Sequence, residues 1–220
     1  MDSGLLVRKE VISTRECNAL KRALATDSKG RARAGIRHLM NNVAVRAIAI
    51  DDRMVSIASS FLGRRAIPYR ATLFEKSDRA NWLVAWHQDT ALPLRHQFES
   101  KEWGPWSSKE GFTYAHAPGW ALSRIIALRI HLDPSTELNG PLRVIPGSHS
   151  SGVLDDDEVL RRAHNGNPVE CLAPTGAVVA MRPLLIHASS KAIVISPRRV
   201  LHIEYADSLD LADGVQLAIT

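Results

Sequence analysis

Hydrophobic side chains recur at helical spacing mainly in the first third of the chain. Ser13 and Glu16 are typical of a capping box at a helix start, and Cys17, Leu20 and Leu24 follow at intervals of three and four residues. A second helix is predicted from this spacing over residues 45–62. The polar, glycine-containing stretch between them, at 27–42, is predicted to be a loop.

After Gly63, a residue typical of helix C-termini, the pattern changes to short strands separated by turns. Alternation is strictest at 122–133, where Leu128 and Ile130 face one way and Arg129 and His131 the other. The other predicted strands are at about 66–76, 82–89, 142–146, 169–172, 177–181, 184–188 and 198–206, and a short helix is predicted at 155–165.

Helices followed by about eight short strands predict one mainly β domain, a cupin-like jelly roll with flanking helices. We expect residues 1–220 to form this single domain. Its N-terminal helical part covers about residues 1–63 and its jelly-roll core about 64–206.

Residues 90–122 interrupt this rhythm, because they are rich in Trp, Pro, Gly and His. A long aromatic segment in a compact domain is typical of a functional loop. We therefore expect a lid or pocket wall here, with Trp103, Trp106 and Trp120 lining a substrate pocket. Arg129 is predicted to point into the interior of the jelly-roll barrel and to line the substrate pocket as well.

Composition indicates an ordinary globular protein, with 45% hydrophobic and 23% charged residues. No signal-like or membrane-spanning run is present, so a cytoplasmic protein without membrane contact is expected. The cysteines, Cys17 and Cys171, form no disulfide or redox motif. The net charge of +5 suggests the hypothesis of nucleic-acid binding. We discount this hypothesis because no nucleic-acid-binding motif accompanies the charge.

A local basic stretch contains Arg33, Arg37 and His38. These side chains could contact an acidic group of a substrate, but a solvated surface is the favoured interpretation.

The strongest chemical signal is the sequence Trp-His-Gln-Asp at 86–89. Residues two apart on a strand share a face, so His87 and Asp89 can present an imidazole and a carboxylate side by side. His187 lies near the end of a later predicted strand. Two histidines and one carboxylate form the facial triad of non-haem iron(II) oxygenases.

Arg198 follows His187 by eleven residues and supports this interpretation. A guanidinium is suited to bind the C5 carboxylate of 2-oxoglutarate, and Ser189 could donate its hydroxyl to the same group. Each residue alone has a simpler explanation, since single histidines are often structural and Arg198 with Arg199 could be a solvated pair.

The sequence resembles the phytanoyl-CoA dioxygenase family of 2-oxoglutarate oxygenases. The resemblance runs from about Arg70 to Ala206 and rests on segments 86–89, 131–152 and 182–206. It implies a double-stranded β-helix, with iron on His87, Asp89 and His187 and 2-oxoglutarate on Arg198 and Ser189. Two departures are Leu138 before Asn139-Gly140, where the family often has Glu, and the lack of an asparagine between His187 and Arg198.

The function expected from these residues is hydroxylation of a small-molecule substrate. Its cofactors are Fe(II), 2-oxoglutarate and O2, with ascorbate as a candidate reductant, and succinate and CO2 are released. The alternatives are a non-oxygenase cupin-type metal enzyme and a catalytically silent metal- or 2-oxoglutarate-binding protein. The sequence leaves the substrate and the oligomeric state open.

Overall fold

The computed structural model describes residues 3–25, 31–32, 35–77, 80–194, 196–212 and 214–220. Two β-sheets face each other in a double-stranded β-helix, and helices cover the outer face of the larger sheet. The predicted fold class is therefore confirmed. Arg33 and part of the predicted loop at 27–42 lie outside the described residues.

Three helices precede the barrel: α1 (Thr14–Ala25), α2 (Val43–Ala49) and α3 (Asp52–Leu62). The predicted single helix at 45–62 is wrong, because the chain breaks at Ile50. Asp51 adopts an extended conformation there, and its carboxylate accepts a hydrogen bond from the Arg53 backbone N–H as the N-cap of α3. In the described residues, no helix is long and apolar enough to cross a membrane.

The larger sheet has the strand order β1-β12-β9-β14-β4-β3-β2. Its strands are β1 (Leu5–Arg8), β2 (Arg31–Ala32), β3 (Gly35–Ile36), β4 (Ile67–Lys76), β9 (Ile125–His131), β12 (Val178–Met181) and β14 (Arg198–Ala206). Leu128 and Ile130 pack beneath the helices, so Arg129 faces the barrel interior, as the alternation predicts. Strands β1 to β3 lie in the N-terminal part, for which the sequence predicts helices and a loop but no strand.

The smaller sheet has the order β11-β10-β13-β5. Its strands are β5 (Val84–His87), β10 (Leu142–Val144), β11 (Val169–Cys171) and β13 (His187–Ser189). Helix α5 (Asp156–Asn165) packs against β5. Strand β13 begins three residues later than predicted, because residues 182–185 form a turn closed by a Leu185 N–H to Arg182 carbonyl hydrogen bond.

Residues 91–122 contain a three-stranded sheet, where the sequence predicts one long loop that forms a lid or pocket wall. Strands β6 (Ala91–Leu94), β7 (Trp106–Lys109) and β8 (Phe112–His116) pair in the order β6-β8-β7, and α4 (Gly119–Leu122) follows. The β7–β8 hairpin turns through Glu110 and Gly111, both at positive φ. A short hairpin of β15 (Asp210–Ala212) and β16 (Val215–Gln216) ends the described fold.

Candidate metal centre

Three predicted ligand residues converge on one point between β5 and β13. His87 and His187 are register partners, with ring centroids 4.1 Å apart. Asp89 lies beside both, with Oδ1 3.6 Å from His87 Nε2 and Oδ2 3.5 Å from His187 Nε2. One ligand atom from each residue lies within 4.8 Å of the others, so the group could hold a metal ion.

Both imidazoles are oriented by a carbonyl oxygen two residues earlier in the chain. The Nδ1 atom of His87 lies 2.8 Å from the Ala85 carbonyl oxygen, and Nδ1 of His187 lies 2.8 Å from that of Leu185. A carbonyl oxygen can only accept, so Nδ1 carries the proton in each ring. The Nε2 lone pairs are therefore free for a metal.

Gln88 anchors the segment from the opposite face. Its side-chain amide donates to the Gly152 and Leu184 carbonyl oxygens at 3.0 and 2.8 Å, and its carbonyl oxygen accepts from the Leu154 N–H at 2.9 Å. The backbone N–H of Asp89 donates to the Pro183 carbonyl. These bonds fix the backbone from which the carboxylate projects.

The charges of the three groups are coupled. Burial raises the pKa of Asp89, but the adjacent His187 and His87 outweigh it and hold the pKa well below its ordinary range. Burial lowers the pKa of His187 to about 4. Burial also opposes protonation of His87, yet the neighbouring Asp89 carboxylate leaves its pKa raised. An ionised carboxylate and a neutral His187 are the forms that bind metal.

One end of the same cavity is cationic. Arg198, Lys76 and Arg129 line it together with the triad and Ser189. Lys76 Nζ donates to Ser189 Oγ at 2.7 Å, and Arg198 Nη2 lies 3.4 Å from that oxygen. Arg198 is buried, yet its Nε and Nη1 atoms have no hydrogen-bond partner in the described structure.

No carboxylate neutralises this end, since Asp89 is the one acidic residue among the described residues that line the cavity. Burial, followed by the neighbouring arginines, lowers the pKa of Lys76 to about 7. Burial and Arg129 lower the pKa of Arg198 to about 9. A buried cationic pocket with unpaired donors is suited to a carboxylate ligand.

Lys76 was missed in the sequence, although it continues the inward-facing series of β4 that includes Thr72 and Phe74. Its place opposite Arg198 depends on the pairing of β4 with β14, which the sequence does not reveal. Trp82 and Phe74, also missed, supply the aromatic walls of the cavity.

The three predicted pocket tryptophans lie elsewhere, which corrects the expectation. Trp103 contacts Trp120 edge to face with centroids 6.0 Å apart, and Phe98 contacts Trp106 at 5.3 Å. Their segment forms its own sheet and packs with the β15–β16 hairpin, so these rings face a separate pocket and core cluster. Arg129, by contrast, lies at the triad cavity.

Arg198 and Arg199 have different environments. Arg199 points away from the cavity, and its guanidinium binds Asp133 through two nitrogen–oxygen contacts, of 2.6 and 3.0 Å. Lys21 of α1 contacts the same carboxylate at 3.0 Å. Arg199 thus connects the sheet to the helical layer, and Arg198 alone of the pair faces the triad.

The family model for phytanoyl-CoA dioxygenase matches residues 2–200. L-proline trans-4-hydroxylase from Streptomyces griseoviridis is 26% identical over 194 residues, which cover 76% of this chain and 64% of that enzyme. The chain thus matches less than two thirds of the hydroxylase's length.

Solved structures share the architecture. EctD from S. alaskensis, crystallised with 2-oxoglutarate and 5-hydroxyectoine, matches with a TM-score of 0.70 at 21% identity over 95% of this chain and 73% of EctD. AviO1 from Streptomyces viridochromogenes Tue57 matches with a TM-score of 0.68 at 20% identity, over 97% and 93% of the two chains. At these identities the likeness shows the fold.

Proposed function

The chain belongs to the phytanoyl-CoA dioxygenase family, and on that premise we propose that it is an Fe(II)- and 2-oxoglutarate-dependent dioxygenase that hydroxylates a small molecule. We further propose that residues 1–220 act as one catalytic domain. A single observation carries the proposal. His87, Asp89 and His187 converge in a cavity whose far end holds Arg198 with unpaired buried nitrogens.

The residues present fit the metal. His87 and His187 would each bind iron through Nε2, and Asp89 through a carboxylate oxygen, which is the donor set of a facial triad. Bound iron(II), with 2-oxoglutarate as electron donor, supplies the activation of O2 that amino-acid side chains cannot provide, and succinate, CO2 and an alcohol are the products. Ascorbate would serve as reductant.

The cationic end fits the distal carboxylate of 2-oxoglutarate. Arg198 would donate from the nitrogens that have no partner, and Ser189 and Lys76 would complete the contact. Such a carboxylate would place a negative charge between two buried cationic side chains, so its binding would lessen their repulsion and the cost of their desolvation.

The walls of the cavity would keep water from the reacting centre. Phe74, Trp82, Val84 and Leu142 supply apolar surface between the triad and the cations. The protein's contribution is thus to orient two charged ligands in a partly dry site.

Small amino acids are the first substrates to test, because the hydroxylase relative is named for L-proline. The purified chain is incubated with Fe(II), ascorbate and 2-oxoglutarate, with and without L-proline, L-pipecolate, glycine, L-alanine or L-valine. Succinate and O2 consumption are measured. We expect O2 consumption to require 2-oxoglutarate and succinate to rise with at least one amino acid.

Two outcomes would contradict the proposal. Turnover independent of 2-oxoglutarate would indicate a cupin-type metal enzyme of another class. Tight binding of 2-oxoglutarate without succinate from any substrate would indicate a silent binding protein.

A further inference from the structure

A second cationic group lies at the other end of strand β4 from Lys76. Arg70 precedes Lys76 by six residues, which places their Cα atoms roughly 20 Å apart along the strand. Asp89 lies between the two ends, since it lines the cavity of Lys76 and Arg198 as well as a small cavity that Glu204 lines. Arg70 is therefore on the side of the triad away from the proposed 2-oxoglutarate site.

Arg70 continues the inward-facing alternation of Thr72 and Phe74 on β4, and a β-bulge lies next to it. On β14, Glu204 pairs with Arg70 and Tyr205 with Pro68, so Tyr69 is the extra residue. Both neighbouring side chains reach Glu204: the Tyr69 hydroxyl donates to Oε2 at 2.7 Å, and Arg70 Nη1 lies 3.1 Å from Oε1. Because both contacts hold Glu204, Arg70 has a fixed position, from which the charge of Asp89 still raises its pKa.

Two cationic side chains make cation–π contacts with the ring of Tyr114 on β8. Arg70 Cζ lies 5.3 Å from the ring centroid and Lys109 Nζ lies 4.9 Å from it. Lys109 is half-buried, and within the described residues no carboxylate or hydrogen-bond acceptor contacts its ammonium. Burial, then Arg70 and Arg37, lowers the pKa of Lys109, whereas Asp89 and Glu204 act in the opposite direction.

Among the charged side chains around the Tyr114 ring, one positive charge is not compensated. Arg37 has Glu110 at 3.7 Å and Arg70 has Glu204 at 3.1 Å, whereas Lys109 has no such partner among the described residues. Asp89 does not neutralise Lys109, because its charge is directed to the metal position between two histidines. A monoanion would balance the group, and a dianionic phosphate would overcompensate it.

We propose that Arg70 and Lys109 bind a carboxylate of the substrate, which identifies the substrate as a small carboxylic acid held beside Asp89. The inference rests on the proposed function, in which the metal at Asp89 is the reacting centre. It assigns Arg70 and Lys109 a role in specificity and leaves Arg198 and Lys76 to the cosubstrate.

Measurements of equilibrium binding test the proposed carboxylate site without the need for catalytic turnover. The iron(II)-loaded protein, saturated with 2-oxoglutarate under argon, is titrated calorimetrically with the amino acids above and with their primary amides. The wild-type protein is expected to bind at least one acid ~10-fold or more tightly than its amide, as a charge-assisted contact requires. Aminomethylphosphonate is expected to bind more weakly than glycine.

Variants locate the contact. Lys109→Gln is expected to remove most of the preference for acid over amide, and Lys109→Arg to restore it. Lys101→Gln, at an exposed lysine of the same segment, should match the wild type. Arg70→Gln should also lose the preference, and its melting curve shows whether the network around Glu204 stays folded.

The inference is overturned if no acid binds, if amides bind as tightly as acids, if the phosphonate is preferred, or if Lys109→Gln weakens both equally. Titrations repeated without iron and 2-oxoglutarate separate the two proposals. A chain that prefers acids but never forms succinate would contradict the proposed function and not this assignment.

Discussion

Lys76 and Arg198 lie opposite each other on β4 and β14, and both direct their charges at Ser189 Oγ, at 2.7 and 3.4 Å. When Lys76 is protonated, two buried like charges share one hydroxyl and repel each other, and the described cavity lining offers no carboxylate at this end. The protein therefore stores an electrostatic cost that an anionic ligand would relieve.

Arg198→Met should make the ligand-free protein more stable and the enzyme less active. Removing a buried, partly unpaired cation is expected to raise the free energy of unfolding by about 1 kcal/mol or more. The loss of charge-assisted bonds should raise the KM for 2-oxoglutarate roughly 100-fold. Denaturant unfolding and succinate assays measure the two effects.

Arg199→Met is the matched control. It removes the ion pair with Asp133, so it should lower stability and leave the KM for 2-oxoglutarate nearly unchanged. If Arg199→Met, and not Arg198→Met, weakens 2-oxoglutarate binding, the assignment of Arg198 is wrong.

Proton uptake should accompany 2-oxoglutarate binding through Lys76. Burial, followed by the neighbouring arginines, lowers the pKa of this lysine from 10.5 to about 7, so it is mostly neutral at about pH 8. A bound carboxylate favours the ammonium form, and uptake should approach about one proton per chain. Calorimetry in buffers of different ionisation enthalpy measures it, and Lys76→Met should abolish it.

Lys76 also determines how the stability of the ligand-free protein changes with pH. Its folded pKa lies below its unfolded value, so the cost of burying the charge is fully present below about pH 7 and fades toward 10.5. Lys76→Met should therefore stabilise the ligand-free protein most at about pH 6 and least at about pH 10. An equal effect at both pH values would contradict this.

Asp89→Ala should abolish iron binding and succinate formation together. Loss of one of three protein ligands is expected to weaken iron affinity by more than ~100-fold, beyond the effect of outer-sphere changes. Asp157→Ala, at an exposed position in the first turn of α5, is the control. Iron content after dialysis and succinate yield are the measurements, and retained turnover would show that the ligand assignment is wrong.

Gln88 should control both stability and metal affinity without touching the metal. Gln88→Ala leaves two carbonyl oxygens and one buried N–H without their partner, at a cost of about 2–4 kcal/mol in unfolding free energy. Iron affinity should fall ~10-fold, because the backbone of Asp89 is less fixed. Gln97→Ala, at an exposed position, should have neither effect.

Gln88→Glu sharpens this test. A glutamate keeps the acceptor for Leu154 but cannot donate to Gly152 and Leu184 when ionised. It should therefore be destabilising at neutral pH despite its similar shape, and wild-type stability would contradict the hydrogen-bond assignment.

Local periodicity in the sequence was sufficient to predict part of this structure. The bounds of β14 and the two faces of β9 match the prediction, because burial on a sheet imposes a strict alternation. His87 and Asp89 could be placed together for the same reason. Their approach to His187 was inferred from chemistry, since the pairing of β5 with β13 joins residues 100 positions apart.

The errors arose where a single side chain or a tertiary contact outweighed the pattern. The Asp51 cap divides an otherwise continuous apolar stripe, and the Glu110-Gly111 turn forms a hairpin inside a segment that resembles a loop. Strand β1 adopts its conformation by pairing with β12, far along the chain. The cluster around Trp103 packs with the β15–β16 hairpin, where no strand was predicted.

The convergence of His87, Asp89 and His187 around a chelated 2-oxo acid is tested most directly by visible absorption under argon. Fe(II) and then 2-oxoglutarate are added to the wild-type protein and to His187→Ala. We expect a charge-transfer band that appears only with both additions, saturates at one iron per chain, and is absent from His187→Ala. A wild-type protein without this band, or a variant that retains it, would contradict the assignment of these three residues as iron ligands.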